Sequence, residues 1–244
     1  MHYLAIDLEM TGLNVKTDRI LEIGAIRMEN GIPGATFSAL IHPHCRLSEE
    51  ITALTGITQE MAEQGEELTD VLPRFLDFAG QLPLLGHNLM FDYSFLKQAY
   101  VNQRLAFSAD GIDTLKIARK LLPAEQKKSL TALRSYFSIH TETIHRAVDD
   151  AYAAACVYER LFADFGSEAS SVFCPSPLRV NIKKQQPVTI PQTEQLTRLL
   201  SEQHLDLNTW LRTHESIGVN TQYTQISQLT RSEASRIIER LLHP

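Results

Sequence analysis

Cysteine is scarce in these 244 residues, and the three present stand apart at Cys45, Cys156 and Cys174. With no C-x-x-C pair, neither a disulfide framework nor a structural zinc site is supported. Reduced thiols in a cytoplasmic protein are the expectation. No apolar run approaches the roughly 18 residues that suggest a membrane span. The opening Met1-His2-Tyr3-Leu4 lacks a basic region followed by an apolar core, so a secretory signal is not expected. A G-x-x-x-x-G-K-[ST] loop is also missing, which excludes a P-loop ATPase.

What remains has the make-up of a soluble globular protein, since 43% hydrophobic residues accompany 21% charged ones. The length allows one ordinary domain plus a small appendage, or two modest domains. The net charge of −6 speaks at first against a nucleic-acid partner, but it is unevenly placed: residues 1–174 carry −8 and residues 175–244 carry +2. Carboxylates gathered to bind metal make their host domain acidic. An enzyme that grips a few terminal nucleotides through cations needs no basic face.

Residues 2–8 read as a strand with Leu4, Ile6 and Leu8 on one face. Arg19–Arg27 reads as a second, and a turn at Gly31-Ile32-Pro33-Gly34 leads to a third around Thr36–His42. Short turns between them predict an antiparallel meander. Ser48 and Thr58 are plausible helix N-caps with acids in the first turn. Further helices are expected over Val71–Phe78, Leu89–Tyr100, Leu115–Leu121, Ser129–Phe137 and Arg146–Phe165, with buried strands at Leu82–Leu85 and Gly111–Asp113. The texture changes at Gly166. A Ser-rich stretch and four prolines up to Pro191 mark residues 166–192 as a linker, within which Val180-Asn181-Ile182 could form a short strand. Residues 193–244 then read as a small helical module, with Leu196, Leu199 and Leu200 at helical spacing, Trp210 in a second helix, and a capping box at Thr230-Arg231-Ser232-Glu233.

Four acids and one imidazole carry the chemistry. Asp7 and Glu9, two apart on a strand, project from the same face. Side by side in an apolar strand they repel each other unless a cation sits between them. Asp92 falls in the first turn of the helix that follows the buried strand, where the helix dipole favours an acid. His145 precedes another helix start, and the His-x4-Asp offset selects Asp150 over Asp149, which points about 100° away. Four carboxylates and a histidine suit the binding of two hard divalent cations and the deprotonation of a water. Together they point to metal-dependent phosphodiester hydrolysis.

In order and spacing the chain resembles the DEDDh, or DnaQ-like, 3′–5′ exonucleases, the family that includes the epsilon-type proofreading subunit of bacterial DNA polymerase III. Asp7-x-Glu9 matches the first motif of that family, Asn88-x-x-x-Asp92 the second and His145-x4-Asp150 the third. Between them, Thr55-Gly56-Ile57-Thr58-Gln59-Glu60-Met61 and Ile112-Asp113-Thr114-Leu115 are also similar. The resemblance covers residues 2–163. It implies an α/β, RNase H-like fold, a five-stranded mixed sheet flanked by helices, in an exonuclease domain spanning residues 1–165. It also implies roles. Asp7, Glu9 and Asp150 would hold one metal, Asp7 would bridge to a second with Asp92 on that side, and His145 would be the general base. All-oxygen ligation favours Mg²⁺ or Mn²⁺ as the pair of ions. The backbone at Met10 and Thr11 would receive the terminal nucleotide, Leu13 would wedge against its base, and His87, Asn88 and Phe91 would line the same pocket.

The resemblance implies single-stranded or frayed DNA 3′ ends as substrate and nucleoside 5′-monophosphates as product. Met10 keeps short RNA and RNA 3′ tails open, because it stands where DNA proofreaders commonly have Thr and oligoribonucleases have Met. A catalytically idle nucleic-acid-binding module is the remaining reading, and the complete set of five residues argues against it. The tail is similar to helical modules appended to DNA-processing proteins, and its +2 balance with Lys183-Lys184 in the linker suits docking of single-stranded DNA or of a partner protein, a polymerase or another DNA-processing protein. No membrane partner is implied.

Overall fold

β1 (His2–Met10), β2 (Ile20–Glu29) and β3 (Ile32–Leu40) form the expected antiparallel meander. The computed structural model describes residues 1–140, 146–214, 217, 219 and 223–243. Asn30 and Gly31 turn β2 into β3 with positive φ at both positions, the backbone that a tight hairpin needs and that Asn and Gly adopt at least cost. β4 (Leu84–Gly86) and β5 (Asp110–Asp113) add on parallel beside β1, as the two short apolar runs predicted.

A sixth strand, β6 (Ser176–Pro177), pairs antiparallel with β5 and gives the order β3-β2-β1-β4-β5-β6. Five strands were expected. The sixth lies in the proline-rich segment read as a linker, and two residues are too few to show any period. Its proline is tolerated because an edge strand need not donate on its outer side. Val180-Asn181-Ile182, by contrast, belongs to no regular element, so the strand expected there is absent.

β1 is buried on both faces, as a central strand covered by helices should be. On one face Tyr3 and Ala5 join Ile26, Met28, Leu85 and Ile112 against α7 (Ala147–Phe165), whose Ala151, Ala154 and Ala155 let it lie close to the sheet. α4 (Leu89–Asn102) packs on β1 and α3 (Leu68–Ala79) on β3, and the two helices are joined by a hydrogen bond of 2.7 Å from the Tyr100 hydroxyl to the Leu72 carbonyl. α1 (Glu49–Thr55) and α2 (Gln59–Glu63) start at Ser48 and Thr58, whose hydroxyls accept from the Ile51 and Met61 N–H groups. α5 (Thr114–Leu121) and α6 (Leu130–Tyr136) complete this layered α/β unit.

The chain divides into two compact units, the second made of Lys183–Pro244 with the short segments Leu13–Asp18 and His44–Arg46. Its helices are α8 (Ile190–Glu202), α9 (Leu207–Thr213) and α10 (Arg231–Leu242), around a core that includes Leu196, Leu200, Trp210, Leu211 and Ile237. α8 begins three residues before the expected Thr193. Thr189 forms a capping box with Gln192, and Pro191 fits in a first turn whose N–H groups lack helical partners anyway. The box predicted at Thr230 and Glu233 opens α10. Among the described residues, no helix is long and apolar enough to cross a membrane.

Candidate active site

The face of β1 that packs on α7 turns from apolar to acidic toward the end of the strand. Tyr3 and Ala5 are followed on that face by Asp7 and Glu9. Across the ladder Asp7 stands opposite Gly24 and Glu9 opposite Glu22. Gly24 is where α7 comes closest: a Cβ there would lie 2.2 Å from the Ala147 carbonyl carbon and 2.3 Å from the Val148 nitrogen. Only glycine permits this approach, which lays the first turn of α7 over the end of β1. Carboxylate oxygens of Asp7, Glu9 and Asp150 accordingly lie within 4.8 Å of one another.

Asp92 arrives by a different route. β4 runs parallel to β1 and ends at Gly86, after which Asn88 adopts a left-handed backbone (φ 70°) and starts α4. Asp113 holds this turn by accepting from the Asn88 N–H at 3.1 Å and from the Leu115 N–H at 3.0 Å. Asp92, 5% exposed in the first turn of α4, accepts hydrogen bonds from its own N–H and from that of Leu8. It is close enough to Asp7 to raise that group's pKa.

Gathering so many acids in a poorly hydrated place opposes their ionisation. Burial, and then the charges of Asp92, Glu9, Asp150 and Glu22, hold Asp7 well above the usual carboxylate range. Glu9 is pushed up to about 8, first by burial and then by Asp150, Glu22 and Asp92, with Arg146 pulling the other way. Burial lifts Asp92 to about 7 in spite of its backbone hydrogen bonds. A site that resists carrying its own negative charge suits divalent cations, and its donors are oxygens throughout.

Two arginines and a fifth acid belong to the same neighbourhood, and motif spacing passes over all three. Arg134 on α6 donates to Asp150 Oδ1 at 3.0 Å. Glu22 is 1% exposed and accepts from Arg146 at 2.7 Å (Nη2 to Oε1) and 3.2 Å (Nε), and from the Ala147 backbone N–H at 3.1 Å. One signal was legible: Glu22 interrupts the apolar run Ile20-Leu21-Glu22-Ile23, where an acid needs a partner.

His145 lies outside the described residues. Met10 ends β1 at a break in the register, and Thr11 turns the chain by pairing its N–H with the Arg19 carbonyl and its Oγ1 with the Arg19 N–H, both at 2.9 Å. Leu13 is 81% exposed. Phe91 is half-buried and packs edge-on against Phe95. Both ring nitrogens of His87 are engaged inside the protein, Nδ1 with Thr114 Oγ1 at 2.9 Å and Nε2 with the Lys128 carbonyl at 2.8 Å. Burial lowers its pKa.

Residues 4–158 match the family model RNase_T, described as exonuclease. The chain belongs to this exonuclease family. It is 34% identical to DNA polymerase III subunit epsilon of Aquifex aeolicus over 164 residues, 66% of this chain and 81% of that protein. It is 35% identical to the PolC-type DNA polymerase III of Clostridium perfringens over 166 residues, 68% of this chain, and spans 12% of that much longer relative. Among solved structures, exonuclease X in complex with 5′ overhanging duplex DNA superposes with a TM-score of 0.56 at 26% identity, over 70% of this chain and 97% of that one. The nuclease domain of 3′hExo, a DEDDh family member bound to rAMP, shares the fold with a TM-score of 0.60 at 21% identity, over 72% of this chain and 96% of that one. The family match covers the strands and helices that carry Asp7, Glu9, Asp92 and Asp150. Residues 4–158 thus form an exonuclease-family domain, similar to the epsilon subunit, with the mixed-sheet α/β fold of that family, and the acidic cluster offers the oxygen donors that a divalent metal would need.

Proposed function

We propose that this exonuclease removes nucleotides from the 3′ ends of single-stranded or frayed DNA, acting in the cytoplasm and releasing nucleoside 5′-monophosphates. The observation that carries this reading is the convergence of Asp7, Glu9 and Asp150 from β1 and α7, with Asp92 beside them from α4. DNA is favoured because relatives at this identity are named as DNA polymerase III subunit epsilon and as PolC-type DNA polymerase III, and exonuclease X is bound to DNA.

Bound there, Mg²⁺ or Mn²⁺ would supply acidity to a water and offset charge on the leaving 3′-oxygen. Asp7, Glu9 and Asp150 would hold one ion, and Asp7 with Asp92 would serve the other. His145, whose unperturbed pKa of about 6.5 suits the task, accepts the proton of the attacking water. The Met10 and Thr11 backbone receives the terminal nucleotide, and His87, Asn88 and Phe91 line the pocket, His87 by shaping it. The second unit docks a polymerase or another DNA-processing protein.

A 5′-labelled single-stranded DNA with Mg²⁺ should give a ladder shortened from its 3′ end, abolished by EDTA or by Asp7→Ala. Full activity in Asp7→Ala would sink the reading. His145→Ala should slow turnover by about 10²–10⁴-fold while metal binding persists. Met10 supports a second reading, RNA 3′ ends, and faster digestion of dinucleotide RNA than of DNA would select it.

A further inference from the structure

Glu22 is the most deeply buried acid beside the candidate metal cluster, yet the cluster of mutually close ligand oxygens is made of Asp7, Glu9 and Asp150. The hydrogen bonds explain why. Both Glu22 oxygens face Arg146, and Oε2 also accepts the Ala147 N–H. Arg146 is the N-cap residue of α7 and makes no side-chain cap of its own. Glu22, more than a hundred residues away in sequence, satisfies one of the N–H groups that a helix start leaves without a partner. The first turn of α7 is therefore fastened to β2 at two adjacent points: Gly24 permits the contact and Glu22 ties it down.

Asp150 sits one turn into that helix, and its N–H bonds back to the Arg146 carbonyl at 3.0 Å. Glu22 stands in register with Glu9, so the strand residue that fastens the helix is also the neighbour of a member of the acidic cluster. A shift of Arg146 would move Asp150 relative to Asp7 and Glu9.

We infer that Glu22 and Arg146 are a positioning pair that holds Asp150 in place against Asp7 and Glu9, and that Glu22 is not itself a metal ligand. The inference rests on the metal-site reading above. It does not depend on which nucleic acid is cut.

The test is Mn²⁺ titration of the full chain by calorimetry, for the wild type and for Glu22→Gln, Arg146→Gln, Arg146→Lys and the Glu22→Gln/Arg146→Gln pair, each shown to be folded by circular dichroism. Glu22→Gln keeps the shape of the side chain and an acceptor for the Ala147 N–H but loses the charge. It should weaken Mn²⁺ binding about 10–100-fold at unchanged stoichiometry. Where cleavage is measured, kcat should fall and KM should stay within about twofold of wild type, the split expected when positioning for the transition state is lost. Because the partners act as one unit, the double variant should be no weaker than the worse single one. Arg146→Lys should recover part of the affinity, as a point charge without the fork.

A folded Glu22→Gln or Arg146→Gln with wild-type Mn²⁺ affinity overturns the inference. So does a drop in the number of ions bound, which would make Glu22 a ligand. Should Glu22→Gln fail to fold, Arg146→Gln decides alone. Normal Mn²⁺ binding with no cleavage by the wild type would defeat the proposed function and leave this test intact.

Discussion

Asp7 and Gly24 face each other across the β1–β2 ladder, one bearing a carboxyl group and the other no side chain. The pairing places both residues at the candidate site. The missing side chain lets the α7 backbone in, and α7 brings Asp150 to Asp7.

Gly24→Ala should therefore damage the site without touching a ligand. A methyl 2.2 Å from the Ala147 carbonyl carbon forces α7 off the sheet. Overpacking of this kind costs on the order of 3 kcal/mol, read as a lower midpoint in urea unfolding. Displacing Asp150 by about 1 Å should lower kcat about 10²-fold. Wild-type stability and turnover in this variant would show that the close approach is not needed.

The acidic cluster makes the metal-free protein sensitive to alkali. Glu9 and Asp92 titrate near 8 and 7 in the fold, against ordinary values of 4.5 and 3.8. A carboxyl whose pKa is raised on folding contributes stability that is fully present below its unfolded value and lost as pH rises through the folded one. In EDTA the melting temperature should fall between about pH 5 and pH 8.5, and Mg²⁺ should raise it more at the upper end. A melting temperature that climbs over this range in EDTA contradicts the assignment.

Asp7→Asn separates function from stability. Ionising Asp7 in the metal-free site costs desolvation and repulsion from Asp92, Glu9 and Asp150, a cost that Asn escapes, so the metal-free variant should melt at a temperature no lower than the wild type at pH 8 and gain on it as pH rises. The 3′-end ladder should vanish. A lower melting temperature would mean that the Asp7 carboxylate is held by partners rather than opposed by them.

In the second unit, Thr230 holds the start of α10. Its hydroxyl accepts from the Glu233 N–H, and Glu233 Oε2 accepts from the Thr230 N–H at 2.7 Å. Thr230→Ala should cost about 1 kcal/mol. Trp210 lies in the core of this unit, stacked on His214 at 4.1 Å, so its fluorescence reports the unfolding. An unchanged fluorescence midpoint would show that the cap is dispensable.

The strands and helices that carry the site were readable from local patterns. Alternating apolar residues marked β1, the cap residues Ser48, Thr58 and Thr230 marked helix starts, and the spacing of Asp7, Glu9, Asp92 and Asp150 marked the acids. Two features escaped for definite reasons. β6 is two residues long and ends in proline, and Glu22 looked like one more charge in a strand.

The sequence by itself determined which elements form and which acids they carry toward the candidate site, because hydrophobic period, capping and motif order are local properties of the chain. Tertiary structure alone decided that Asp150 meets Asp7 and Glu9, since this depends on the empty space at Gly24. It also decided that Glu22 serves Arg146 and the start of α7 rather than standing free. Both are contacts between segments more than a hundred residues apart, created by packing α7 on β2, and no pattern within either segment encodes them.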